Sequence, residues 1–192
     1  MSEQPTSTSL VYLLGSPGVG KRTVAEALHR LTGAVVLDNH RINLPIMSLF
    51  DWDGSERLPP GIWDYVDRIR DSVLDALEDL APRDLSYVLT NAVEVTHLAW
   101  FERIERIAAS RGSVFVPVLL ECELEEQLRR VASEDRVVRL KLSDPEAARE
   151  FIESSEFYRP TGPNSLVLDT THRSPDESAR LVAEHVARVV AG

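Results

Sequence analysis

Cysteine is almost absent from this chain of 192 residues, which contains only Cys122. A single cysteine excludes an internal disulfide and a cysteine-based zinc site, and it predicts a cytoplasmic protein. Long apolar runs are missing as well. The longest are Leu10–Leu14 and Val114–Leu120, far below the roughly 20 residues that a membrane-spanning helix needs. We therefore expect no membrane association.

Basic residues are also scarce. The chain has 21 Lys and Arg against 31 Asp and Glu, a formal net charge of −10, which argues against a broad nucleic-acid surface because phosphate backbones are held mainly by Lys and Arg. Five of the basic residues nevertheless crowd into one segment: Arg129, Arg130, Arg136, Arg139 and Lys141. Nothing in the sequence indicates an oligomeric state.

Short apolar runs alternate with longer stretches of helical periodicity. This alternation predicts an α/β fold with a parallel sheet. The predicted strands are Leu10–Leu14, Ala34–Leu37, Tyr87–Leu89, Val114–Leu120 and Leu166–Leu168. We expect a bulge or an early strand end at Pro117, because a proline removes one ladder donor. A capping box at Ser174 and Glu177 predicts the start of the last helix.

One domain is expected over residues 10–192, after a flexible tail at residues 1–9. Residues 39–62 fit neither the helical nor the strand period well. We interpret them as an excursion on the acceptor side of the site, where Trp52 and Trp63 are candidates to line a pocket, with packing in the core as the alternative role.

A glycine-rich loop follows the first predicted strand. Residues 15–21 read GSPGVGK, which matches Gly-x-x-x-x-Gly-Lys in its required setting of strand, loop and helix. Such glycines let successive backbone N–H groups turn toward phosphate oxygens, and the next helix adds positive potential at its N-terminus. The predicted nucleotide site comprises Gly15, Ser16, Pro17, Gly18, Val19, Gly20, Lys21, Arg22 and Thr23, with Lys21 also acting in catalysis.

The residue after the lysine departs from the usual pattern. Ser or Thr ordinarily stands there and binds magnesium, whereas this chain has Arg22, with Thr23 one place later. The spacing resembles that of the loop in nucleoside monophosphate kinases. Thr23 is therefore the candidate metal ligand, for a magnesium ion held mostly by water and nucleotide phosphates.

Polar residues follow the second and third predicted strands. Asp38 stands at the edge where open α/β sheets bind ligands, and it is a candidate to orient and deprotonate an acceptor hydroxyl. Capping the next turn and holding magnesium are its alternative roles. His40 and Arg41 are candidates to contact the acceptor, with a structural role in the turn as the alternative for His40. Thr90 and Asn91 end the third strand, where a hydrolytic ATPase usually has an acid, and Asn91 is a further candidate for the acceptor.

The basic segment LEEQLRRVASEDRVVRLKL resembles the lid of nucleoside monophosphate kinases. In such a lid, arginines close over the triphosphate and stabilise the charge of the transferring group. The spacing favours Arg130 for nucleotide binding and Arg136 for catalysis, with Arg139 and Lys141 in reserve. A solvated helix face is the alternative for each of them. We take residues 124–160 as the lid region.

These motifs together resemble the shikimate kinase-like and chloramphenicol phosphotransferase-like small P-loop kinases. The resemblance extends from residue 10 through the closing LDTTHRSPDE at residues 168–177. It implies a three-layer P-loop fold with a five-stranded parallel sheet, ATP with magnesium, and Asp38 on the acceptor side. Shikimate kinases have a second aspartate two residues after this acid and a glycine pair on the middle strand. This chain has His40 and Thr90-Asn91 there, which argues against shikimate as the acceptor.

The sequence therefore predicts an ATP-dependent phosphotransferase that acts on a small hydroxylated molecule. The alternative is a nucleotide-binding regulatory module or a weak ATPase.

Overall fold

The computed structural model describes residues 7–50, 58–59, 61–133 and 143–192. Five parallel strands form one sheet in the order β2-β3-β1-β4-β5. Their bounds are Ser9–Leu14 (β1), Val35–Asp38 (β2), Tyr87–Asn91 (β3), Val114–Glu121 (β4) and Leu166–Asp169 (β5). The predicted five-stranded parallel sheet is confirmed, and each strand differs from its predicted bounds by one or two residues. Ser9, expected in the tail, begins β1.

Seven α-helices connect and flank these strands in the described residues. They are Lys21–Thr32 (α1), Asn39–Met47 (α2), Ile62–Asp79 (α3), Leu98–Arg111 (α4), Leu124–Val131 (α5), Pro145–Ser154 (α6) and Pro175–Ala191 (α7). The predicted capping box at the start of α7 is confirmed, because the Ser174 side chain accepts from the Glu177 N–H and the Glu177 carboxylate accepts from the Ser174 N–H. No helix within these described ranges has the length and hydropathy to cross a bilayer.

The central strand β1 divides the core into two layers because its side chains alternate between the faces of the sheet. Val11 and Leu13 pack with α1 and α7 on one face. Leu10, Tyr12 and Leu14 pack with α3 and α4 on the other. All six residues of β1 are buried, which is why the sequence shows a continuous apolar run here rather than an alternating one.

The predicted bulge or early strand end at Pro117 is wrong. β4 continues through Pro117, which is paired with Tyr12 of β1. The carbonyls of Phe115 and Glu121 both accept hydrogen bonds on the β5 side, and residues of the same parity face the same side. Pro117 therefore faces β5, but the ladder between β4 and β5 begins only at Val118. At position 117, β4 has no partner residue in β5, so the absent proline N–H removes no hydrogen bond between these strands.

The excursion at residues 39–62 contains more helix than its sequence pattern indicates. Residues 39–47 form α2, and a 3-10 turn covers Ser48–Phe50. Trp52 lies outside the described residues. In the lid region, α5 and α6 pack together around Leu128, Val131 and Ala148, while residues 134–142 lie outside the described ranges.

The buried centre of β1 generates a stability prediction. Leu13 is 0% exposed, whereas Leu80, at the end of α3, is 83% exposed. We expect Leu13→Ala to lower the free energy of unfolding by about 2–5 kcal/mol, because it leaves a cavity between the sheet and α1. Leu80→Ala should change it by less than about 0.5 kcal/mol. Urea denaturation of both variants checks this, and similar losses would contradict the described core.

Candidate active site

A cavity of about 820 Å³ opens at the carboxyl ends of the strands. This volume lies within the usual range of small-ligand sites. Asp38 ends β2, Asn91 ends β3, and the glycine loop follows β1, so all three come together at one edge of the sheet. The predicted site residues that line the cavity are Pro17, Gly18, Gly20, Lys21, Arg22, Thr23, Asp38, His40, Asn91 and Arg130.

The phosphate loop is packed tightly on β4 and α5. Gly15 and Gly18 have φ of 138° and 88°, which L side chains rarely adopt. A Cβ at Gly15 would stand 2.4 Å from the Leu120 carbonyl oxygen, and one at Gly18 would stand 2.6 Å from the Gln127 carbonyl oxygen. Both positions therefore require glycine for space as well as for conformation.

Two predicted loop residues support the loop from behind. The Ser16 hydroxyl donates to Gln127 Oε1 at 2.6 Å, and Gln127 Nε2 donates to the Cys122 carbonyl oxygen at 2.6 Å. Val19 is buried in the core. Gly15, Ser16 and Val19 are outside the cavity lining. The side chains of Ser16 and Val19 instead anchor the loop to the rest of the protein. The sequence carried no signal for the role of Gln127.

Lys21 and Thr23 lie at the mouth of the loop. Lys21 Nζ donates to the carbonyl oxygens of Gly15 at 2.6 Å and Ser16 at 2.9 Å. The Thr23 hydroxyl donates to the Gly20 carbonyl oxygen at 2.9 Å. The carbonyl oxygens of the loop thus hold the Lys21 side chain, and the first turn of α1 lines the same cavity.

Asp38 is buried, with 5% of its surface exposed. Its Oδ1 accepts a hydrogen bond from the Thr90 hydroxyl at 2.7 Å, and Thr90 Oγ1 accepts from the Asn39 N–H at 3.2 Å. Strand register explains this contact, because Asp38 of β2 stands opposite Thr90 of β3. Asp38 Oδ2 has no hydrogen-bond partner among the described residues. The carboxylate is therefore hydrogen-bonded at one oxygen and lacks a hydrogen bond at the other, which stands 3.9 Å from Arg22 Nε.

The candidate acceptor residues do not share one environment. His40 lines the cavity from the first turn of α2. Arg41, the next residue on that helix, is exposed and outside the lining, so the expectation that it contacts an acceptor is not supported by its position. Asn91 lines the cavity, but its amide donates to the buried Tyr12 hydroxyl at 3.2 Å and accepts from the Ala92 N–H at 2.9 Å. Burial raises the pKa of Tyr12, which keeps this phenol protonated.

The Arg130 side chain is hydrogen-bonded to its own helix and to residues 170 and 171. Its guanidinium donates to Glu126 Oε1, the Thr170 hydroxyl and the Thr170 and Thr171 carbonyl oxygens, at 2.7–3.2 Å. These bonds attach α5 to the turn after β5. Hydrogen bonds from Arg129 and Arg130 lower the pKa of Glu126 to about 2. Arg136, Arg139 and Lys141 lie outside the described residues, and their roles stay predictions.

Arg70 is a cavity residue that the sequence analysis missed. It donates to Asp67 Oδ1 at 2.8 Å, Asn39 Oδ1 at 3.2 Å and Asn43 Oδ1 at 3.4 Å. Its guanidinium carbon also stands 4.7 Å from the Trp100 ring centroid. Burial lowers the pKa of Arg70 from its ordinary value.

A signal for Arg70 was present in the sequence. It stands four residues after Val66 and four before Leu74, both buried on α3, so an arginine interrupts the apolar face of that helix. Half-exposed Trp63 lines the same end of the cavity, in agreement with one of the two roles considered for it.

The groups around the loop suit a magnesium ion. The described residues contain no cluster of three or more His, Cys, Asp or Glu side chains placed to hold a metal. Thr23 and Asp38 both line the cavity, and Asp38 Oδ2 is a buried carboxylate oxygen that lacks a hydrogen bond. Hydroxyl and carboxylate oxygens are hard ligands, and magnesium commonly keeps few protein ligands beside water and phosphate oxygens. This donor set fits such an ion.

The contact of Gly18 with α5 generates a second prediction, for which Gly33 is a matched control. Gly33 also has a positive φ, of 77°, but a Cβ there would meet nothing within 4 Å. We expect Gly33→Ala to cost about 1 kcal/mol of unfolding free energy, from backbone strain alone. Gly18→Ala should cost about 1–3 kcal/mol more, because it also forces α5 off the loop. Equal losses by urea denaturation would contradict the described packing.

Comparison with known proteins agrees with this geometry. No protein-family model matches the chain. It is 27% identical over 170 residues to the shikimate kinase of Chromobacterium violaceum, an alignment that covers 85% of this chain and 82% of that protein.

Solved structures share its fold. A sugar kinase from Janibacter sp. HTCC2649 has a TM-score of 0.60 at 16% identity, covering 96% of this chain and 97% of its own. The APS kinase of Mycobacterium tuberculosis, solved with AMPPNP and APS, has a TM-score of 0.59 at 24% identity, covering 95% and 99%. The chain is thus a homologue of a shikimate kinase and has the fold of the small P-loop kinases.

Proposed function

We propose that the chain is a cytoplasmic kinase that transfers the γ-phosphoryl group of ATP, with magnesium, to a hydroxyl of a small molecule. The observation that carries this proposal is Asp38, a buried carboxylate with one oxygen that accepts no hydrogen bond, in the same cavity as the phosphate loop and Lys21. The homology to a shikimate kinase and the kinase fold support the same class of reaction.

Asp38 acts on the acceptor hydroxyl in this proposal. The Thr90 hydrogen bond holds Oδ1, so Oδ2, which accepts no hydrogen bond, is the oxygen proposed to act as the base. As the acceptor oxygen bonds to the γ-phosphorus, its proton passes to Asp38 Oδ2, the bond from that phosphorus to the bridging oxygen breaks, and ADP leaves. General base catalysis of this kind contributes about 10² to 10⁴ in rate.

The loop and the start of α1 hold the phosphates. Backbone N–H groups of a glycine loop and the positive end of a helix both favour anions, and Lys21 adds a full charge at the same place. Thr23 is the proposed protein ligand of magnesium, which when bound would neutralise charge that develops between the β- and γ-phosphates. Arg136 is proposed to meet the transferring group from the lid.

The acceptor occupies the opposite end of the cavity, between α2, α3 and the residues after β3. His40 and Asn91 stand there, together with Arg70, Trp63 and Asp67. Of these, His40 is proposed to contact the acceptor directly, whereas Asn91 supports the strand end through its bond to Tyr12.

A regulatory module or weak ATPase is the second candidate function. The observation in its favour is the phosphate loop with Lys21 in the cavity lining, which such a protein would also use. The end of β3 counts against it, because Thr90 and Asn91 stand where a hydrolytic ATPase usually has an acid that positions the metal and water.

The phosphate loop generates a binding prediction. At about 100 times its dissociation constant, ATP with magnesium should raise the free energy of unfolding by about 2.7 kcal/mol. Lys21→Ala should abolish most of this stabilisation. Arg30→Ala is the control, because Arg30 lies on the exposed side of α1, paired with Asp176, and it should leave binding intact. Thermal unfolding over a millimolar nucleotide titration measures both, and an unshifted melting temperature in the native protein would refute the nucleotide site.

Asp38→Asn separates the two roles considered for Asp38, general base and magnesium ligand. A screen of hydroxylated metabolites and antibiotics for acceptor-dependent ADP release first supplies an acceptor. If Asp38 is the base, the variant should bind magnesium and ATP as the native protein does, and acceptor-dependent turnover should fall by about 10² to 10⁴. Asp176→Asn is the matched control, because Asp176 lies in an exposed ion pair with Arg30. We expect this variant to be fully active.

Two other results would count against parts of this proposal. Loss of magnesium-dependent nucleotide binding in Asp38→Asn would assign Asp38 to the metal. Fast hydrolysis without any acceptor, unchanged in the variant, would favour the ATPase.

A further inference from the structure

Arg22 lies in the cavity although it stands on the first turn of a surface helix. Its side chain is 20% exposed, against 61% for Arg30 on the same helix. It occupies the sequence position after the loop lysine, where Ser or Thr usually contributes a hydroxyl to magnesium. The chain thus has a permanent cation where the usual loop pattern has a neutral metal ligand, and its own hydroxyl residue, Thr23, stands one place later.

Two acids position the Arg22 guanidinium. Nε donates to Glu26 Oε1 at 2.7 Å, one helical turn away. The same nitrogen stands 3.9 Å from Asp38 Oδ2, close enough for an ion pair but too far for a hydrogen bond. Glu26 therefore holds the side chain toward Asp38, across the mouth of the phosphate loop.

The outer end of Arg22 keeps its hydrogen-bonding capacity. Its two terminal nitrogens donate no hydrogen bond to any residue that the structure describes, since only Nε has a partner. Arg130 differs, because both of its terminal nitrogens are bonded to the turn after β5. Arg22 therefore offers four N–H donors in a planar fork, a geometry that suits phosphate oxygens.

Negative charge near the loop makes an additional cation favourable for phosphate binding. Asp38 and Glu26 both line the cavity beside the loop, and their carboxylates repel a polyphosphate. In a P-loop with Ser or Thr after the lysine, the lysine and bound magnesium offset such repulsion. Here Arg22 lies beside both acids and lines the same cavity as the loop.

We propose that Arg22 is a phosphate-binding cation of the nucleotide site that supplies part of the charge otherwise provided by magnesium. This inference rests on the nucleotide site of the proposed function. It makes nucleotide binding by this chain less dependent on magnesium than it would be with a hydroxyl residue at position 22.

The test compares Arg22→Ser, which restores the usual residue type, with the native protein and with Arg30→Ser as control. Calorimetry measures the dissociation constants of ADP and of adenosine, each with excess magnesium and with EDTA. In EDTA, Arg22→Ser should bind ADP about tenfold or more weakly than the native protein, the effect of losing a charge-assisted hydrogen bond. With magnesium the loss should be clearly smaller. Adenosine binding, and all binding by Arg30→Ser, should be unchanged.

Each other result refutes the inference in a recognisable way. Equal weakening of ADP and adenosine would mean that Arg22 only maintains the shape of the site. Equal weakening of ADP with and without magnesium, or no weakening, would mean that Arg22 does not share the role of the metal. Arg22→Lys, which retains the charge, should keep most of the affinity in EDTA, and a loss as large as that of the serine variant would also refute it. If the native protein binds ADP with magnesium, these failures leave the proposed kinase standing; if it binds no ADP at all, the kinase proposal fails first.

Discussion

The close packing of the phosphate loop on β4 and α5 is the contact on which the candidate site depends. Gly15 stands against the Leu120 carbonyl and Gly18 against the backbone of Gln127, at distances that exclude any side chain. The Ser16–Gln127 hydrogen bond closes the same interface. Because the loop is fixed on both sides, its backbone direction and the start of α1 are set before any ligand binds. Preorganisation of this kind avoids an ordering cost on binding.

Strand order decides what faces the loop. With β3 between β2 and β1, the carboxylate that ends β2 rests on a hydroxyl from β3. One oxygen of the buried Asp38 carboxylate is therefore hydrogen-bonded, and the other is the oxygen proposed to act as the base. The cation beside it comes from α1, so the groups assigned to base and phosphate binding reach the cavity from three different elements of the fold.

Local patterns explain why so much of the fold could be predicted. The strands are short apolar runs buried on both faces, and the glycine loop and the Ser174 capping box are continuous in sequence. Pro117 was misjudged because the cost of a proline depends on which neighbour its missing N–H would have faced. That depends on the offset between β4 and β5, which no local pattern contains.

The sequence by itself determined the α/β class, the phosphate loop with Lys21, and the presence of Asp38 at a strand end, because each is a property of neighbouring residues. Only the tertiary structure decided the partners of these groups. It placed Thr90 under Asp38, bound Arg130 into the turn after β5, turned Arg41 to the surface, and brought Arg70 and Arg22 into the cavity. Some of these outcomes depend on contacts between side chains that are far apart in the chain. Others depend on the direction in which a side chain leaves its helix. Burial and charge pairing determine both only when the elements pack together.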